Sequence, residues 1–581
     1  MISQIKRIIT ISILVNGIGF NLWAQTPKDT LNTEVIEVVK PYVPTISDSF
    51  KINDQPPVTE EVVEKDSIQY QINSVPVAST FTPNKGKAKG VTKPVPEKLF
   101  DNYISIGFGN YTSPLLDAYV RTYPNRDAEL GIILKHHSSQ GGIKDVLLKD
   151  AYSDSKASIY YKQETNANIW KMGLDIKHGI YNYYGLPETP VFTEAYLDEI
   201  DSKQSFLGIE INGEIDFTDF FVKSAKIQMS SFTDHFNSNE QRFRIQPILE
   251  LPISSERINF RFDLDYLNGK FEKYYNSNDE IHYNYLHVGV EPNFEVLRDY
   301  LSINLGAKVY YMMDLKNGEG AFKAYPNVDA SYMLIDEVLT IFGGATGGLT
   351  YNTYEDLTTE NPFLSPNFYS VPTDEKYRFY AGMKGKLASN MSYLFSGAYS
   401  QIENQSLYLL NPSKTDGIIE VEQPYELGNS FGVIYDNTSL IALNGELSLD
   451  FSKEFTFGGN VSYKMYNFEN VEEAYNLPAL KTSIFADYHD KKWRGSAKLF
   501  MMSDRKDMEV PYGIMTFAPE DYTVSSGTFI DLNAEMSYTF TERLSAFAKA
   551  NNLLTTNYKR YYNYPVQGLQ VLAGITYKFD L

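Results

Sequence analysis

Seven histidines are the side chains of this sequence best suited to metal binding or proton transfer, but their spacing favours neither. They are His136, His137, His178, His235, His282, His287 and His489. Residues one or five apart on a strand point to opposite faces, so neither the first two of these nor the pair His282 and His287 can act together. The chain has no cysteine, and no histidine pair has the spacing of a zinc site.

Nucleophilic and acidic groups are equally poor candidates for catalysis. His137-Ser138 would suggest a hydrolase pair, yet neighbours on a strand point apart and no third group orients them. Two acidic loop clusters could bind Ca²⁺, but such loops are more often simply solvated, and we assign no metal to them; the clusters are Asp198, Glu199 and Asp201, and Glu355, Asp356 and Glu360. The sequence therefore predicts no enzyme, no cofactor and no bound metal.

Charge and hydropathy exclude two further classes of protein. Aspartate and glutamate outnumber lysine and arginine by 73 to 52, which gives a net charge of −21. Such a chain repels phosphate, so we predict no nucleic-acid partner. No apolar run reaches the ~20 residues of a membrane-spanning helix, which excludes a helical membrane protein.

The first hundred residues are predicted to be an export signal and a tether. Lys6 and Arg7 precede a short apolar run that ends near Ala24, so residues 1–24 form a predicted signal peptide. Residues 25–100 are rich in proline and polar residues, and we expect a largely extended periplasmic segment. Within it, one stretch has high β-propensity and is suited to adding a strand to a partner's sheet: Glu34, Val35, Ile36, Glu37, Val38 and Val39.

From Tyr103 onward the polarity of the sequence alternates with a period of two. In residues 258–266 one face is Ile, Phe, Phe, Leu and Tyr, and the other is Asn, Arg, Asp and Asp. Residues 530–540 repeat the pattern. An aromatic-rich face opposite a charged face fits lipid on one side and water on the other. We therefore predict an all-β fold, in which residues 101–581 form a transmembrane antiparallel β-barrel of about 22 strands.

The predicted connections between strands alternate between short and long. Short ones include 253–256, 297–299 and 541–543, and long ones include 179–204, 351–375 and 403–429. Outer-membrane barrels have short periplasmic turns and long extracellular loops. The first loop, 111–114, is the one short exception that we expect. An even number of strands places both chain ends in the periplasm.

The chain ends in an amphipathic strand that must pair with the first strand to close the barrel. Tyr577, Phe579 and Leu581 share its apolar face. A final strand with terminal aromatics resembles the signal that the outer-membrane assembly machinery reads. Here Leu581 takes the last position, where an aromatic is usual.

The last two hairpins carry a run of short motifs: Asp531-Leu532-Asn533, Leu544-Ser545-Ala546-Phe547, Asn551-Asn552-Leu553-Leu554, Tyr558-Lys559-Arg560-Tyr561-Tyr562 and Gly574-Ile575-Thr576-Tyr577. This run resembles the end of a TonB-dependent receptor barrel. The resemblance implies a place in the outer membrane of a diderm bacterium, surrounded by outer-membrane lipid. Glu34 to Val39 is similar to the segment by which such receptors contact TonB, so the implied partner is a TonB-type energising protein or another envelope protein.

The sequence departs from that family because no recognisable plug domain precedes the barrel. A barrel of this size has a wide interior that normally needs one. We predict transport or uptake of a solute; the alternative is a non-transporting scaffold or accessory barrel of an outer-membrane assembly or secretion complex. The missing plug favours the scaffold, and the TonB-box-like segment favours transport. Asn182-Tyr183-Tyr184-Gly185, in one long loop, is interpreted either as a sugar-stacking surface or as part of the membrane interface.

Overall fold

A closed barrel accounts for most of the described chain. The computed structural model describes residues 99–218, 220–253, 256–514 and 519–581. The predicted signal peptide, the segment 25–98 and the Glu34–Val39 box lie outside the described residues. The barrel strands are β1 Asn102–Gly109, β2 Ser113–Asn125, β3 Ala128–Ser139, β4 Tyr152–Glu164, β5 Asn168–Asn182, β6 Lys203–Phe217, β7 Val222–Asp234, β8 Asn239–Ile253, β9 Glu256–Phe271, β10 Ile281–Leu297, β11 Leu301–Asp314, β12 Glu319–Ile335, β13 Leu339–Thr350, β14 Thr373–Ala388, β15 Met391–Leu410, β16 Phe431–Asp450, β17 Phe455–Phe468, β18 Leu480–His489, β19 Trp493–Met502, β20 Phe529–Thr539, β21 Leu544–Asn551 and β22 Gln570–Phe579.

Each barrel strand pairs antiparallel with its neighbours in sequence. The last strand, β22, pairs with β1 from Asn102↔Phe579 to Gly109↔Leu572, and this seam closes the ring. The predicted all-β fold, a closed antiparallel barrel of 22 strands, is therefore confirmed.

The two faces of the wall follow the alternation of the sequence. On β1, the side chains of Ile104, Ile106 and Phe108 point outward and are exposed. On β9, Asp263 and Asp265 point inward, and both are almost completely buried. Apolar side chains thus surround the barrel, and polar side chains line the lumen, as the period of two predicts.

The connections divide the barrel into two unlike ends. At one end, which we call the short-turn end, they are brief, as at 126–127, 298–300, 389–390 and 540–543. At the other, the loop end, the longest are 183–202, 351–372, 411–430, 503–528 and 552–569. Three connections there are short, 110–112, 235–238 and 315–318, so the expectation of a single short exception is wrong.

Helices and minor ribbons occur only at the loop end of the described chain. The helices are α1 Glu194–Asp198 and α2 Tyr354–Glu360, with a 3₁₀ turn at Pro519–Asp521. Two small ribbons pair Lys506–Met508 with Thr523–Ser525, and Lys559–Tyr561 with Tyr564–Pro565. No helix among the described residues is both long and apolar enough to cross a membrane.

The height of the wall varies around the ring. Strands β1 and β21, at or next to the seam, have 8 residues each. Strands β15 and β16, separated from the seam by the six strands β17 to β22, have 20 residues each. The wall is therefore lowest near the seam and highest at β15 and β16.

Candidate functional site

Four connections at the loop end fold together over the lumen, and we call them the loop cap: 183–202, 351–372, 411–430 and 552–569. Their side chains share one buried aromatic core with the inward-facing ends of the strands. The core comprises Tyr183, Phe206, Phe232, Leu267, Phe271, Tyr275, Ile281, Tyr283, Tyr285, Tyr351, Tyr354, Leu357, Phe363, Leu364, Phe368, Tyr408, Leu410, Tyr425, Phe431, Tyr561 and Tyr564. Each buried aromatic contributes on the order of 2–3 kcal/mol of apolar burial, so spontaneous opening of the whole cap is rare.

Hydrogen bonds of the cap cross the ring. The Tyr183 hydroxyl, just after β5, donates to the carbonyl oxygen of Leu364, 2.9 Å away, in the connection after β13. The Asn429 amide, just before β16, donates to the carbonyl oxygen of Tyr183 at 2.8 Å. The Tyr564 hydroxyl donates to the carbonyl oxygen of Asn429. Strands β5 and β16 lie half a ring apart, so these contacts span the mouth and close it.

The connection 351–372 also enters the lumen. Its helix α2 begins after Thr353, whose hydroxyl accepts from the amide of Asp356 at 3.1 Å. The Glu240 carboxylate on the wall accepts from the Tyr354 amide at 2.8 Å. Glu355 pairs with Lys177, on the inner face of β5, at 2.6 Å. The helix is thus held against β5 and β8, which lie on the same side of the wall.

Where α2 and its loop cover the wall, the charges beneath are buried and paired. Arg242 binds Asp265 in a bidentate pair at 2.9 and 2.5 Å. Arg244 binds Asp263 at 3.0 and 3.2 Å, and His287 Nε2 lies 2.8 Å from the same carboxylate. Buried charges need such partners, because the free energy lost when an ion leaves water is not compensated unless the ion is paired.

The same group of side chains has the composition of a metal site. Asp263, Asp265 and His287 offer ligand atoms that all lie within 4.8 Å of one another. Both carboxylates, however, are already neutralised by Arg242 and Arg244. A divalent cation there would face two guanidinium groups at contact distance, so we interpret the group as an ion-pair network that positions the wall. Spacing along the chain could not reveal it, because His287 reaches the acids across the β9–β10 pair.

Several of the histidine and acidic candidates of the sequence have protein partners in the structure. His136 contacts Ser155 and Ser138 at 2.8 and 3.1 Å, and His137 lies 3.4 Å from the Tyr152 hydroxyl. Glu360 accepts from the Tyr408 hydroxyl at 3.2 Å. None of these contacts brings a nucleophile, a base and an orienting group together. The absence of an enzyme activity, of a cofactor and of a metal stays a prediction.

Tyr183 and Tyr184 lie neither on an exposed sugar-stacking surface nor at the membrane interface. Tyr183 is completely buried, and Tyr184 packs edge-on against Tyr564 with ring centroids 4.9 Å apart. Burial raises the pKa of both hydroxyls far above any physiological pH. Both interpretations, a sugar-stacking surface and a membrane interface, are therefore wrong for these two residues. They form the centre of the cap.

A buried carboxylate links the ribbon at 506–508 to the wall. Asp507 accepts from the amide of Leu410 at 2.9 Å and from the Asn476 side chain at 2.7 Å. The carboxylate is completely shielded from solvent. Burial raises the pKa of Asp507 from its ordinary 3.8 to about 6, although both hydrogen bonds act in the opposite direction.

We expect this part of the loop end to become more stable as the pH falls. The pKa of Asp507 is higher in the native state than in the unfolded state, so the native state takes up the proton first as the pH falls. The gain in stability begins below about pH 7 and is complete only below about pH 3. Hydrogen–deuterium exchange at Leu410, corrected for the intrinsic rate, should slow by about thirtyfold in total between pH 6 and 4. Asp507→Asn should abolish this dependence, whereas Asp504→Asn should retain it. A wild-type profile that is flat over this range would contradict the prediction.

The predicted assembly-signal residues lie at the seam. Tyr577 and Phe579 point outward from β22, and their rings stack with centroids 6.1 Å apart. Leu581 lies two residues beyond the end of the strand and is largely exposed. Their recognition by assembly machinery stays a prediction, as does partner binding by Glu34, Val35, Ile36, Glu37, Val38 and Val39, which lie outside the described residues.

Solved structures with the same architecture are outer-membrane receptors and transporters. The pyoverdine receptor FpvA of Pseudomonas aeruginosa has a TM-score of 0.59 and 12% identity, over 84% of this chain and 79% of its own. The FrpB iron transporter of Neisseria meningitidis has a TM-score of 0.61 and 8% identity, over 83% and 82%. The copper transporter OprC has a TM-score of 0.56 and 10% identity, over 84% and 81%.

At the level of sequence, no protein-family model matches this chain, and no curated protein does either. The likeness is therefore one of fold, and it extends over more than four-fifths of the chain. Together with the closed ring of 22 strands, it shows that residues 99–581 have the barrel fold of TonB-dependent outer-membrane receptors, with no plug domain among the described residues.

Proposed function

We propose that this chain is an outer-membrane transporter that takes up a solute through its barrel. The observation that carries the proposal is that loops from opposite sides of the 22-stranded ring meet over its polar inner face. Such loops form a barrier that movement can open, whereas a lumen filled with wall side chains would not. The fold shared with receptors and transporters supports the same function.

The proposed orientation follows from the two unlike ends. Short turns face the periplasm in outer-membrane barrels, and long loops face the exterior. The loop cap would then meet solute from outside, and both chain ends would lie in the periplasm. We propose further that Glu34–Val39 binds a TonB-type energising protein by strand addition, since its valines and isoleucine alternate with acidic residues.

Deleting residues 33–39 tests this function. The deletion leaves the barrel intact, because β1 begins only at Asn102. We expect it to abolish uptake, measured by mass spectrometry of the medium components and metals that cells deplete. Deletion of residues 78–84, equal in length and in the same segment, should leave depletion unchanged. Loss of depletion in both variants, or in neither, would contradict energised uptake through residues 34–39.

The alternative function is a scaffold in an envelope complex, and the size of the buried cap core favours it. A cap with so many buried aromatics would suit a barrel that never opens. In that case the 33–39 deletion should release a periplasmic partner on purification and leave depletion of the medium unchanged. For the 33–39 deletion, the two functions therefore predict opposite results for depletion of the medium and for recovery of a periplasmic partner.

A further inference from the structure

Two connections of the loop cap, 183–202 and 411–430, meet at their middle residues. A Cβ atom added to Gly417 would lie 2.9 Å from the carbonyl oxygen of Val191, so the two backbones are in direct contact. The Tyr196 hydroxyl, in the first connection, donates to the carbonyl oxygen of Ile419, in the second, at 3.0 Å. Val191, Ile418 and Ile419 therefore lie close together, and we call these three residues the apolar tip.

The side chains of the apolar tip project from the protein instead of joining a core. Val191 is 82% exposed, Ile418 is 81% exposed and Ile419 is 47% exposed. A small buried core adjoins the tip, and it consists of Phe192, Leu148, Leu197 and Leu427. Adjoining exposed apolar residues, unlike scattered ones, are typical of an interaction surface.

The backbone of the tip is fixed by local hydrogen bonds. The Asp416 carboxylate accepts from the amides of Ile418 and Ile419 at 2.9 and 3.0 Å. The Thr415 hydroxyl donates to the carbonyl oxygen of Ile419 at 2.6 Å and accepts from the amide of Gly417 at 3.0 Å. A surface that is ordered before binding loses less conformational entropy when a partner arrives. The two isoleucines are thus held exposed in a conformation ready for contact.

The surroundings of the tip are acidic. The two connections contain nine acidic residues and one lysine, Lys414, which is paired with Glu426 at 2.7 Å. The adjoining connections 140–151, 272–280 and 552–569 add five acidic and five basic residues, and Lys203 begins β6, so the excess of negative charge remains. Seven carboxylates of the two connections are exposed and make no ion pair within the described chain: Glu188, Glu194, Asp198, Glu199, Asp201, Asp416 and Glu420.

We propose that the apolar tip and the carboxylates around it bind a basic polypeptide segment. Such a segment places an apolar side chain against the tip and lysine or arginine side chains against the carboxylates. Charge complementarity favours this occupant, because a second copy of this chain would bring the same acidic residues together and an anionic lipid surface would be repelled. In the proposed orientation the tip faces the exterior of the cell, so the partner is extracellular.

Calorimetric titration of the detergent-purified full chain tests this surface. The probe is the synthetic peptide KKLFLKK, in a non-ionic detergent at low ionic strength, where charges are least screened. We expect it to bind the wild-type protein, and Val191→Ser combined with Ile418→Ser to weaken binding at least about tenfold. The acidic peptide EELFLEE should not bind.

Ile514→Ser combined with Leu554→Ser is the matched control. Both side chains are exposed and apolar, and they lie at the loop end outside the two connections. This control should change the affinity for KKLFLKK by less than about twofold. Both double variants should fold normally, because exposed side chains contribute little to stability. Faster migration of the unheated protein than of the boiled protein on a denaturing gel verifies the closed barrel.

Three results would overturn the proposal. The first is failure of KKLFLKK to bind the wild-type chain, and the second is equal binding by the Val191 and Ile418 variant, which would mean attraction by charge alone. The third is binding of EELFLEE, or a wild-type dimer in light scattering that this variant loses, since either assigns the tip to another occupant. The titration needs no uptake, so failure to bind with intact depletion of the medium overturns only this surface. Binding with no depletion overturns only transport.

Discussion

Replacing residues 351–372 with a two-residue Asn-Gly turn should convert the closed barrel into an open channel. Thr350 pairs with Thr373, so a tight hairpin joins the strands without shifting the register. The change removes α2 and, with it, Tyr354, Phe363 and Phe368 from the aromatic core. In planar bilayers we expect the wild-type protein to conduct little, and the variant to conduct at least about tenfold more, because a 22-stranded ring without its closure leaves a wide aqueous lumen.

The connection 315–318 provides the control for this experiment. It lies at the same end of the barrel but contributes no residue to the aromatic core. An Asn-Gly replacement there should leave the channel closed. If the 351–372 variant remained closed while its unheated form still migrated as a folded barrel, the remaining loops would be sufficient to close the mouth, and the role that we assign to α2 would be wrong.

Phe579→Asp should nearly abolish the assembled barrel in the outer membrane. Phe579 points outward from β22 and pairs with Asn102 at the seam. An aspartate there places a charge on the lipid face close to an interface, which costs only about 1 kcal/mol or less. The expected loss is far larger than this cost, because Phe579 also belongs to the predicted assembly signal. Surface labelling of cells and gel migration of the unheated protein would measure it.

Thr576→Asp is the matched control for the charge. Thr576 lies on the same strand but faces the lumen, where its hydroxyl lies 2.9 Å from that of Ser105. A charge at this position meets water rather than lipid, so we expect nearly normal levels of assembled protein. Normal levels of the Phe579 variant, or equal losses in both variants, would exclude a specific role of the aromatic in assembly.

The barrel could be predicted from the sequence because its signal is local. The alternation of polar and apolar residues along a strand depends only on residues two apart. In residues 258–266 it is visible from that segment alone. The alternation of short and long connections along the chain then distinguishes the two ends of the barrel. The short connections at 235–238 and 315–318 escaped prediction, since a brief polar turn between two amphipathic strands looks the same at either end.

The cap could not be predicted in this way because its contacts join loops that are remote in sequence. Tyr183 meets Leu364 across 181 residues, and Tyr184 meets Pro565 across 381. No periodicity links such positions. The one available signal was composition, because tyrosine and phenylalanine recur in loops that would otherwise be polar. Taken one loop at a time, these aromatics suggested binding surfaces, whereas together they form a core.

The unequal height of the wall determines how the bilayer fits this protein. A strand of 8 residues, tilted by about 40°, rises roughly 20 Å along the barrel axis, and one of 20 residues rises roughly 50 Å. The apolar band of an outer-membrane barrel is about 25 Å tall. Lipid beside β1 and β21 must therefore thin, or the barrel must tilt toward the seam, while β15 and β16 extend well beyond the headgroups. Short-chain lipids would collect along the seam, and the barrel would exert an uneven stress on the surrounding membrane.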